Sequence, residues 1–364
     1  MPLAWIVLNS VKGLGPVRIK ALVDRFSGAD AVLRQKPADL VRLGGLTEET
    51  AAMVRDPGLL RQAEDQLKAA RAENVEVLTP DHDRYPRLLR EIFAPPPVLF
   101  VKGDCGVFSR HAVAIVGTRR PTGYGREAAA HLASGLADQG IVVVSGLAAG
   151  IDTVAHEACL EKKGKTVAVL GCGLDIVYPA GNRDLARRIA ANGAIVSEFP
   201  PGTPPEPFNF PRRNRIIAGL SYGTVVVEAG VRSGALITAQ YALQQDRDVF
   251  AVPGPIFSDR SAGTFRLIKS GAIPVRCAGD VVESIQTVRQ KALELEVKAP
   301  LPPPAELLTE QEQGIVDLLS ESPQRLDQVA QKSGRAMTDL WALLLNLELK
   351  GVVRQIAGQQ FVRT

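Results

Sequence analysis

The sequence predicts an α/β protein whose centre is a doubly wound parallel sheet. Between residues 112 and 239, four apolar β-type runs each end at glycine and lead into a helical pattern. Strand, glycine turn and helix in series are typical of an extended Rossmann-like sheet. Helical patterns before and after it add a small all-helical N-terminal domain and a C-terminal winged-helix domain. The four runs are 112–116, 141–144, 167–170 and 225–227.

The glycines after these runs predict anion-binding loops. In a parallel sheet the loops that follow the strands gather at one edge, where glycine lets backbone N–H groups and helix N-termini approach an anion closely. Several such loops in a row, accompanied by arginine, favour a long phosphate compound as the ligand.

Length and composition set broad limits. At 364 residues the chain exceeds what one core usually organises, so two or three domains are expected, and a net charge of +4 is only a mild basic bias. The cysteines, Cys105, Cys159, Cys172 and Cys277, show no CxxC spacing, which predicts neither a zinc site nor a disulfide framework and fits a reducing cytoplasm. The start of the chain lacks signal-peptide features, so we expect a cytoplasmic protein without membrane insertion.

Residues 1–73 predict a helical domain of helix-hairpin-helix or SAM-like type. Apolar residues recur there at three- and four-residue spacing, with glycine turns at 12–16 and 43–47. Both turns resemble the helix-hairpin-helix turn, whose amides grip a nucleic-acid phosphate, but glycines that merely end helices have the same appearance. The helical bundle is predicted, and its contact with nucleic acid stays open.

The central sheet domain is placed at 80–288, because strand and helix patterns continue on both sides of the four runs. The proline-rich segment 94–101 is interpreted as an entry segment to the sheet. The additional predicted elements are strands at 75–78, 248–253 and 273–275 and a helix at 263–270.

A proline-rich linker at 289–306, predicted to be a stiff polyproline-type spacer, precedes a domain at 307–364. Thr309 and Glu312 have the spacing of a capping box at the start of the first of three helical patterns. Two short strands follow, which gives the order of a winged helix. The helical patterns cover 309–320, 325–333 and 336–350.

The candidate recognition helix of this winged domain is apolar and carries acids on its polar face. Proteins that bind duplex DNA place Arg, Lys, Asn or Gln there, so either a role in protein interaction or a domain that has lost its affinity for duplex DNA is favoured. Arg354 and Arg363 in the wing keep a contact with DNA open.

The glycine loops differ from the known nucleotide fingerprints. The loop at 117–123 lacks G-x-G-x-x-G, and the second strand ends in Ser145 and Gly146 instead of an acid, so NAD or FAD binding is disfavoured and no cofactor is expected. The Gly-Lys-Thr tripeptide at 164–166 is no P-loop, because its lysine precedes a strand. Lys165 is either a charge that faces a phosphate or, more commonly for such a residue, a solvated lysine.

The densest basic cluster opens a helix at 209–218. Three arginines within four positions, together with the arginines of the first loop, predict one positive groove that binds several phosphates bidentately. Phe208 and Phe210 either stack exposed bases beside it or pack under the loop. Local pairing is the alternative for the arginines, although so many are hard to neutralise in so short a span. The arginines are Arg119, Arg120, Arg212, Arg213 and Arg215, and the nearby acids are Glu198, Glu206 and Glu228.

Five segments of the core resemble the motif series of the DNA-processing protein A family, also called DprA or Smf. The match covers the core almost end to end and is highly specific, and both flanking domains agree with members of that family. The segments are VAIVGTRRPTGYG (113–125), VSGLAAGIDTVAH (144–156), AVLGCGLDIVYP (168–179), FPRRNRIIAGL (210–220) and VVEAGVRSGALITA (226–239).

The resemblance implies a non-catalytic, cytoplasmic bacterial protein that binds and protects incoming single-stranded DNA during natural transformation. It also implies a homodimer through the Rossmann-like core, and loading of the RecA recombinase onto DNA coated by single-strand-binding protein. The dimer and RecA surfaces are placed only within 240–290. The expected DNA contacts are Gly117, Thr118, Arg119, Ser145, Gly146, Lys165, Gly173, Phe210, Arg212, Arg213, Asn214 and Arg215, with Arg120, Arg232 and Ser233 added on charge or loop position.

Two other classes of function stay open. The core also resembles phosphoribohydrolases, which cleave nucleoside monophosphates with an arginine and a Gly-Gly-x-Gly-Thr-x-x-Glu loop. Here Leu236 or Ile237 occupies the position of that acid, and Glu228 at the strand end is a candidate substitute. A nucleotide sensor on the same core needs one phosphate cradle, whereas several arginine sites favour a polymer. We expect single strands to bind without sequence readout and more tightly than duplex.

Overall fold

The structure, a computed structural model, divides the chain into two compact units, Met1–Thr287 and Val288–Thr364, which are described separately. The predicted proline-rich linker at 289–306 lies outside the described residues, and the predicted division into domains stays a prediction. The described residues are 2–285, 309–319, 324–335, 337–349, 352–356 and 360–363.

A nine-stranded sheet forms the centre of the first unit. Its strands are β1 (Glu76–Leu78), β2 (Leu99–Gly103), β3 (Ala112–Val116), β4 (Val142–Ser145), β5 (Thr166–Val169), β6 (Ala194–Ser197), β7 (Gly223–Val226), β8 (Asp248–Ala251) and β9 (Ile273–Pro274). The spatial order is β1-β2-β6-β5-β4-β3-β7-β8-β9. Neighbours from β6 to β9 pair in parallel, whereas β2 pairs antiparallel with both β1 and β6.

The direction in which the chain winds reverses between β3 and β7. From β3 the chain moves outward to β6 on one side, and it resumes at β7 on the other side of β3. This order confirms the predicted doubly wound α/β fold. Strands β2 and β6 were not predicted: β6 lacks the glycine turn on which the predictions of β3, β4, β5 and β7 depended, and most of β2 was interpreted as part of the proline-rich entry segment at 94–101.

Helices precede the sheet, as predicted for the N-terminal part. Their apolar side chains form one core with Val75, Val98 and Phe100 at the edge of the sheet. Thr47 and Asp56 cap the last two helices through their side-chain oxygens. The helices are α1 (Pro2–Ser10), α2 (Pro16–Phe26), α3 (Ala29–Arg34), α4 (Pro37–Arg42), α5 (Glu48–Met53) and α6 (Pro57–Ala72).

Further helices cover both faces of the sheet. They are α7 (Arg87–Arg90), α8 (Gly123–Asp138), α9 (Ile151–Glu161), α10 (Arg183–Asn192), α11 (Asn209–Gly219), α12 (Gly234–Gln244), α13 (Ala262–Lys269) and α14 (278–285). Successive side chains of a strand point to opposite faces, so Val113 and Ile115 pack with α8 and α9. Ala114 and Val116 belong to the core that includes α11 and α12. Burial on both faces explains why the strand sequences are continuously apolar.

The second unit has the predicted winged-helix order. Its elements are α15 (Glu310–Leu318), β10 (Gln324–Arg325), α16 (Leu326–Ser333), α17 (Met337–Leu349), β11 (Val353–Ile356) and β12 (Gln360–Arg363). The capping box of Thr309 and Glu312 is present. Leu340, Leu344 and Leu347 of α17 are buried in the core of this unit, so packing accounts for the apolar character of the candidate recognition helix. Residues 336 and 350 lie outside the described part, as do the side chains of the two wing arginines.

In the part of the chain that the structure describes, no helix combines the length and the apolar character needed to cross a bilayer.

Candidate nucleic-acid interface

A cavity of about 680 Å³ opens at the carboxyl edge of the sheet, between the ends of β3 and β7. The strand order reverses at this point, and doubly wound sheets bind their ligands there. The cavity brings together eight of the predicted site residues from three separate segments. They are Gly117, Thr118 and Arg119 after β3, Phe210, Arg213 and Asn214 on α11, and Arg232 and Ser233 before α12.

Two glycines hold the loop after β3 against the start of α9. A Cβ on Gly117 would lie 2.6 Å from Cγ1 of Ile151, and a Cβ on Gly150 would overlap the carbonyl oxygen of Thr118. Gly150 also has a φ of +89°, which L-residues rarely adopt. The close approach fixes the backbone of the loop while the side chain of Arg119 stays exposed.

An aromatic and arginine cluster forms one wall of the cavity. The ring centroids of Phe210 and Tyr178 are 5.6 Å apart. Cζ of Arg119 lies 5.6 Å from the centroid of the Phe210 ring. Phe210 is half-buried, and Tyr178 is 46% exposed. No sequence pattern linked Tyr178 with Phe210, because they belong to different motifs and only the fold brings them together. Exposed π faces beside guanidinium groups are suited to bases and phosphates together.

Arg213 lies underneath this cluster. It is only 4% exposed, and its Nη1 donates to the carbonyl oxygen of Gly146 at 2.7 Å and to that of Val169. The guanidinium therefore joins the carboxyl ends of β4 and β5. Burial lowers the pKa of Arg213 to about 10, a shift that the nearby Asp152 opposes, so the side chain stays charged at neutral pH. Arg213 was predicted as a contact to DNA, and the structure places its buried side chain at the floor of the cavity.

Asp152 is a cavity residue that the sequence analysis missed. Its Oδ2 accepts hydrogen bonds from the amides of Gly146 at 3.1 Å and Ala148 at 3.4 Å. Burial raises the pKa of this carboxyl, and the charge of Arg213 opposes the rise. The amide of Gly146, predicted to cradle a phosphate, is thus already occupied by Asp152.

Lys165 does not join the predicted cradle. It precedes β5 and so lies at the amino edge of the sheet, about 13 Å from the carboxyl edge for a four-residue strand. Its Nζ lies 3.9 Å from Oδ2 of Asp104, a partly exposed pair.

Arg215 also turns away from the cavity. Its Nη2 lies 2.5 Å from Oε2 of Glu198, and both side chains are buried, so the alternative of local pairing holds for this arginine. Ser145 is fully buried, and its hydroxyl donates to the carbonyl oxygen of Ile115 at 2.6 Å. The predicted contacts of both residues are corrected, because their polar groups are directed into the protein.

Three other predicted residues lie outside the cavity wall. The amide of Gly173 donates to the carbonyl oxygen of Thr203 at 2.9 Å, so it is not available to a phosphate. Arg120 and Arg212 are exposed, with Cζ of Arg212 at 5.4 Å from the ring centroid of Phe199. Both arginines remain free to reach a ligand that extends beyond the cavity.

Glu228 has a structural role instead of facing the cavity. The side chain is 2% exposed, and its carboxylate accepts hydrogen bonds from the amide of Thr122 at 2.9 Å and from its hydroxyl at 2.6 Å. The contact ties the end of β7 to the start of α8. The acid that the phosphoribohydrolase alternative requires is therefore engaged elsewhere.

A buried histidine lies close to the floor of the cavity. Nδ1 of His156 lies 2.7 Å from Oγ1 of Thr166, whose single proton goes to the carbonyl oxygen of Val143 at 2.7 Å. Nδ1 must therefore carry the proton. Burial, together with the charge of Arg213, lowers the pKa of His156 from 6.5 to about 3.

His156 makes a pH dependence of stability testable. The folded pKa lies below the unfolded value, so the unfolded chain binds the extra proton and stability falls as the pH falls below about 6.5. Between pH 6 and 5 we expect the unfolding free energy of wild type to fall more steeply than that of His156→Asn, by up to about 1.4 kcal/mol per pH unit. Urea unfolding at each pH measures the slopes. The exposed His131, changed to Gln, should keep the wild-type slope, and an unchanged slope in His156→Asn would contradict the assignment.

The fold and this cavity define a Rossmann-like protein with an arginine-lined and aromatic-lined site at the point where the sheet reverses. The sequence matches the family described as DNA recombination-mediator protein A over residues 76–286, and the DprA winged helix domain over 299–359. The chain belongs to the DNA recombination-mediator protein A family, which confirms the resemblance noted from its motifs.

Individual relatives agree with this assignment. Protein Smf of Synechocystis is 37% identical over 389 residues, which cover 99% of this chain and 98% of the relative. The X-ray structure of DNA processing protein A from Streptococcus pneumoniae superposes with a TM-score of 0.66 at 36% identity, covering 78% of this chain and 97% of its own. DNA processing protein A from Helicobacter pylori, described for its single-stranded DNA binding mode, has a TM-score of 0.53 at 32% identity and covers 60% and 96%.

Proposed function

We propose that this protein binds single-stranded DNA at the carboxyl edge of its sheet and acts, without catalysis, in DNA processing during natural transformation. The observation that carries the proposal is the cluster of Arg119, Phe210 and Tyr178 at the mouth of the cavity. The binding mode for which the Helicobacter pylori relative is described supports the same ligand.

In the proposed mode, guanidinium groups hold phosphates and aromatic rings hold bases. Arg119 and Arg232 line the cavity with exposed side chains, and the charge of Arg213 lies beneath them. Tyr178 and Phe210 stack on bases, which requires no particular base because each has a π face. A duplex keeps its bases paired and stacked inside, so it cannot use these rings and should bind more weakly.

The absence of catalysis is part of the proposal. The carboxylate of Glu228 is buried and accepts hydrogen bonds from Thr122. Ile237 lines the cavity at one of the two positions that correspond to the acid of the phosphoribohydrolase loop. Neither position therefore supplies the carboxylate with which the phosphoribohydrolases stabilise an oxocarbenium ion or activate water.

The partners proposed for this function rest on membership of the family. The first is the RecA recombinase, which the protein would load onto the bound strand, and the second is single-strand-binding protein on the incoming DNA. The third is a second copy of the chain, bound through the Rossmann-like core. We place all of them in the cytoplasm. Within 240–290, Leu243 and Phe265 are large apolar side chains that are 59% and 58% exposed. Such exposed side chains are compatible with a contact surface in this region.

Arg119→Ala tests the proposed site directly. We expect it to weaken binding of a labelled single strand about tenfold and to lower the slope of log Kd against log salt by about 0.7, the contribution of one single-strand phosphate contact. Fluorescence anisotropy across a salt series measures both quantities. Arg110→Ala, an exposed arginine just before β3 at the opposite edge, is the matched control.

Two results would contradict the proposal. Equal losses in Arg119→Ala and Arg110→Ala would mean that binding is not localised to the carboxyl edge of the sheet. If single strands bind weakly and Arg119→Ala does not change that affinity, while a nucleoside monophosphate binds tightly, the nucleotide-sensor or phosphoribohydrolase alternatives are favoured.

A further inference from the structure

Two large apolar side chains stand at the corners of a tight turn beside the cavity. The amide of Ser258 donates to the carbonyl oxygen of Pro255 at 3.0 Å, which places Ile256 and Phe257 at the two central positions of the turn. They are 82% and 96% exposed. Glycine, asparagine, aspartate, serine and proline dominate such positions, so local turn chemistry does not explain isoleucine and phenylalanine.

The turn is attached firmly to the wall of the cavity. Arg260, just after the turn, lines the cavity, and its carbonyl oxygen accepts a hydrogen bond from the amide of Ala229 at 2.8 Å. The amide of Ser261 donates to the carbonyl oxygen of Ser258 at 2.9 Å. The two apolar side chains therefore project from a turn whose C-terminal end is hydrogen-bonded to the loop after β7.

The turn lies across the cavity from the first aromatic cluster. Tyr178 belongs to the segment after β5, whereas the turn follows β8, and four strand spacings separate β5 from β8 in the sheet. That separation is about 19 Å. Arg119 follows β3, and Arg232 follows β7, so positive side chains occupy the interval between the two aromatic positions.

We propose that Phe257 is a second stacking position for the same single strand, an inference that rests on the proposed function. A strand that stacks on Tyr178 and Phe210 crosses the cavity over Arg119 and Arg232 and meets the ring of Phe257 on the far rim. A base is the favoured occupant because the turn is continuous with a cavity lined by arginines, and an exposed ring beside such a cavity matches the composition of single-strand sites.

The position of Phe257 predicts a dependence on strand length. The affinity of oligothymidylates that occupy only the cluster of Tyr178 and Phe210 should not depend on Phe257. The affinity of strands long enough to cross the cavity should depend on it. We expect Phe257→Ala to weaken binding of a 20-mer roughly 5- to 150-fold, the range found when a stacking aromatic is removed, with little effect on a 4-mer. Anisotropy titrations over a series of lengths measure this difference.

Three further variants separate stacking from simple apolar contact. Phe257→Trp keeps a π face and should retain wild-type affinity, whereas Phe257→Leu keeps the apolar volume and should behave like Phe257→Ala. Ile256→Ala is the matched control, because it removes the neighbouring exposed apolar side chain, which has no ring. Photocrosslinking with 5-iodouracil in the strand, mapped by mass spectrometry, should place a crosslink on Phe257.

The outcomes are distinguishable. If wild type binds single strands through Arg119 and Phe257→Ala leaves every length unchanged, the second stacking position is wrong and the proposed function stands. If Phe257→Leu matches wild type while Phe257→Ala changes the sedimentation of the protein, the turn is a protein contact and the inference is overturned. If wild type does not bind single strands, both proposals fail together.

Discussion

Replacing Arg213 by methionine is expected to lower the free energy of unfolding by about 3 kcal/mol or more. The methionine keeps most of the apolar stem but donates no hydrogen bond. The carbonyl oxygens of Gly146 and Val169 lose their charged donor inside the protein, and the buried Asp152 loses the nearby positive charge. A buried acceptor left without a donor carries its full desolvation cost, which makes this loss larger than that of an exposed arginine.

Arg212→Met is the matched control for this prediction. The residue is the immediate neighbour on α11, but its side chain is exposed, so its replacement should change stability by no more than about 0.5 kcal/mol. Urea unfolding followed by circular dichroism compares the two variants. Similar stabilities for Arg212→Met and Arg213→Met would show that Arg213 does not support the sheet edge.

Gly150→Ala is expected to destabilise the protein by about 3 kcal/mol and to weaken single-strand binding as well. The backbone has φ +89° and ψ −126°, a combination that is almost confined to glycine. The new methyl group would also overlap the carbonyl oxygen of Thr118 and lie 2.8 Å from Cα of Arg119. Relief of that overlap displaces the loop that carries the first arginine of the proposed site.

Gly140→Ala separates the cost of the backbone conformation from the overlap with the loop that carries Arg119. Gly140 has a φ of +72°, but a Cβ there meets nothing within 4 Å, so only the conformational cost of about 1 kcal/mol is expected. Thermal unfolding ranks the variants, and anisotropy gives their affinities for a single strand. If Gly150→Ala binds DNA as well as Gly140→Ala does, the packing of α9 against the loop after β3 has no part in positioning Arg119.

Much of the fold could be predicted because its signals are local. Each parallel strand from β3 to β5, and β7, is an apolar run that ends near glycine, and the doubly wound order follows from strands that alternate with helices. Strand β6 lacked that signal: Glu198 and Phe199 follow it, and the segment then turns through prolines. The antiparallel pairing of β2 depends on contacts far along the chain that no local pattern encodes.

The arginine cluster at the start of α11 was predicted to form one groove, but the sequence pattern did not support placing all of its arginines on one side. Successive residues of a helix are about 100° apart, so Arg213 and Arg215, two positions apart, point to opposite sides of the helix and the three arginines cannot all face one groove. The structure gives them three environments: solvent, the floor of the cavity and an ion pair with Glu198. The helical period could have predicted the divergence, but not which arginine is buried, because that depends on how α11 packs on the sheet.

Lys165 illustrates a rule that was available from the sequence alone. A residue immediately before a parallel strand lies at the amino edge, opposite the loops that bind anions, so its position argued against the predicted contact. Tyr178 is the reverse case. Nothing in its motif links it to Phe210, and their contact arises only because the segment after β5 meets the first turn of α11.

The burial of Arg213 has a consequence for how the site attracts its ligand. A mobile surface arginine loses rotamer freedom when it grips a phosphate, which subtracts from the binding free energy. Arg213 has already lost that freedom during folding, since two carbonyl groups hold its guanidinium in place. Its charge thus acts as a preorganised source of positive potential that adds no ordering cost at the moment of association. In the proposed function, an approaching strand would therefore meet a positive potential of fixed position, while the exposed arginines around it adapt to the course of the backbone.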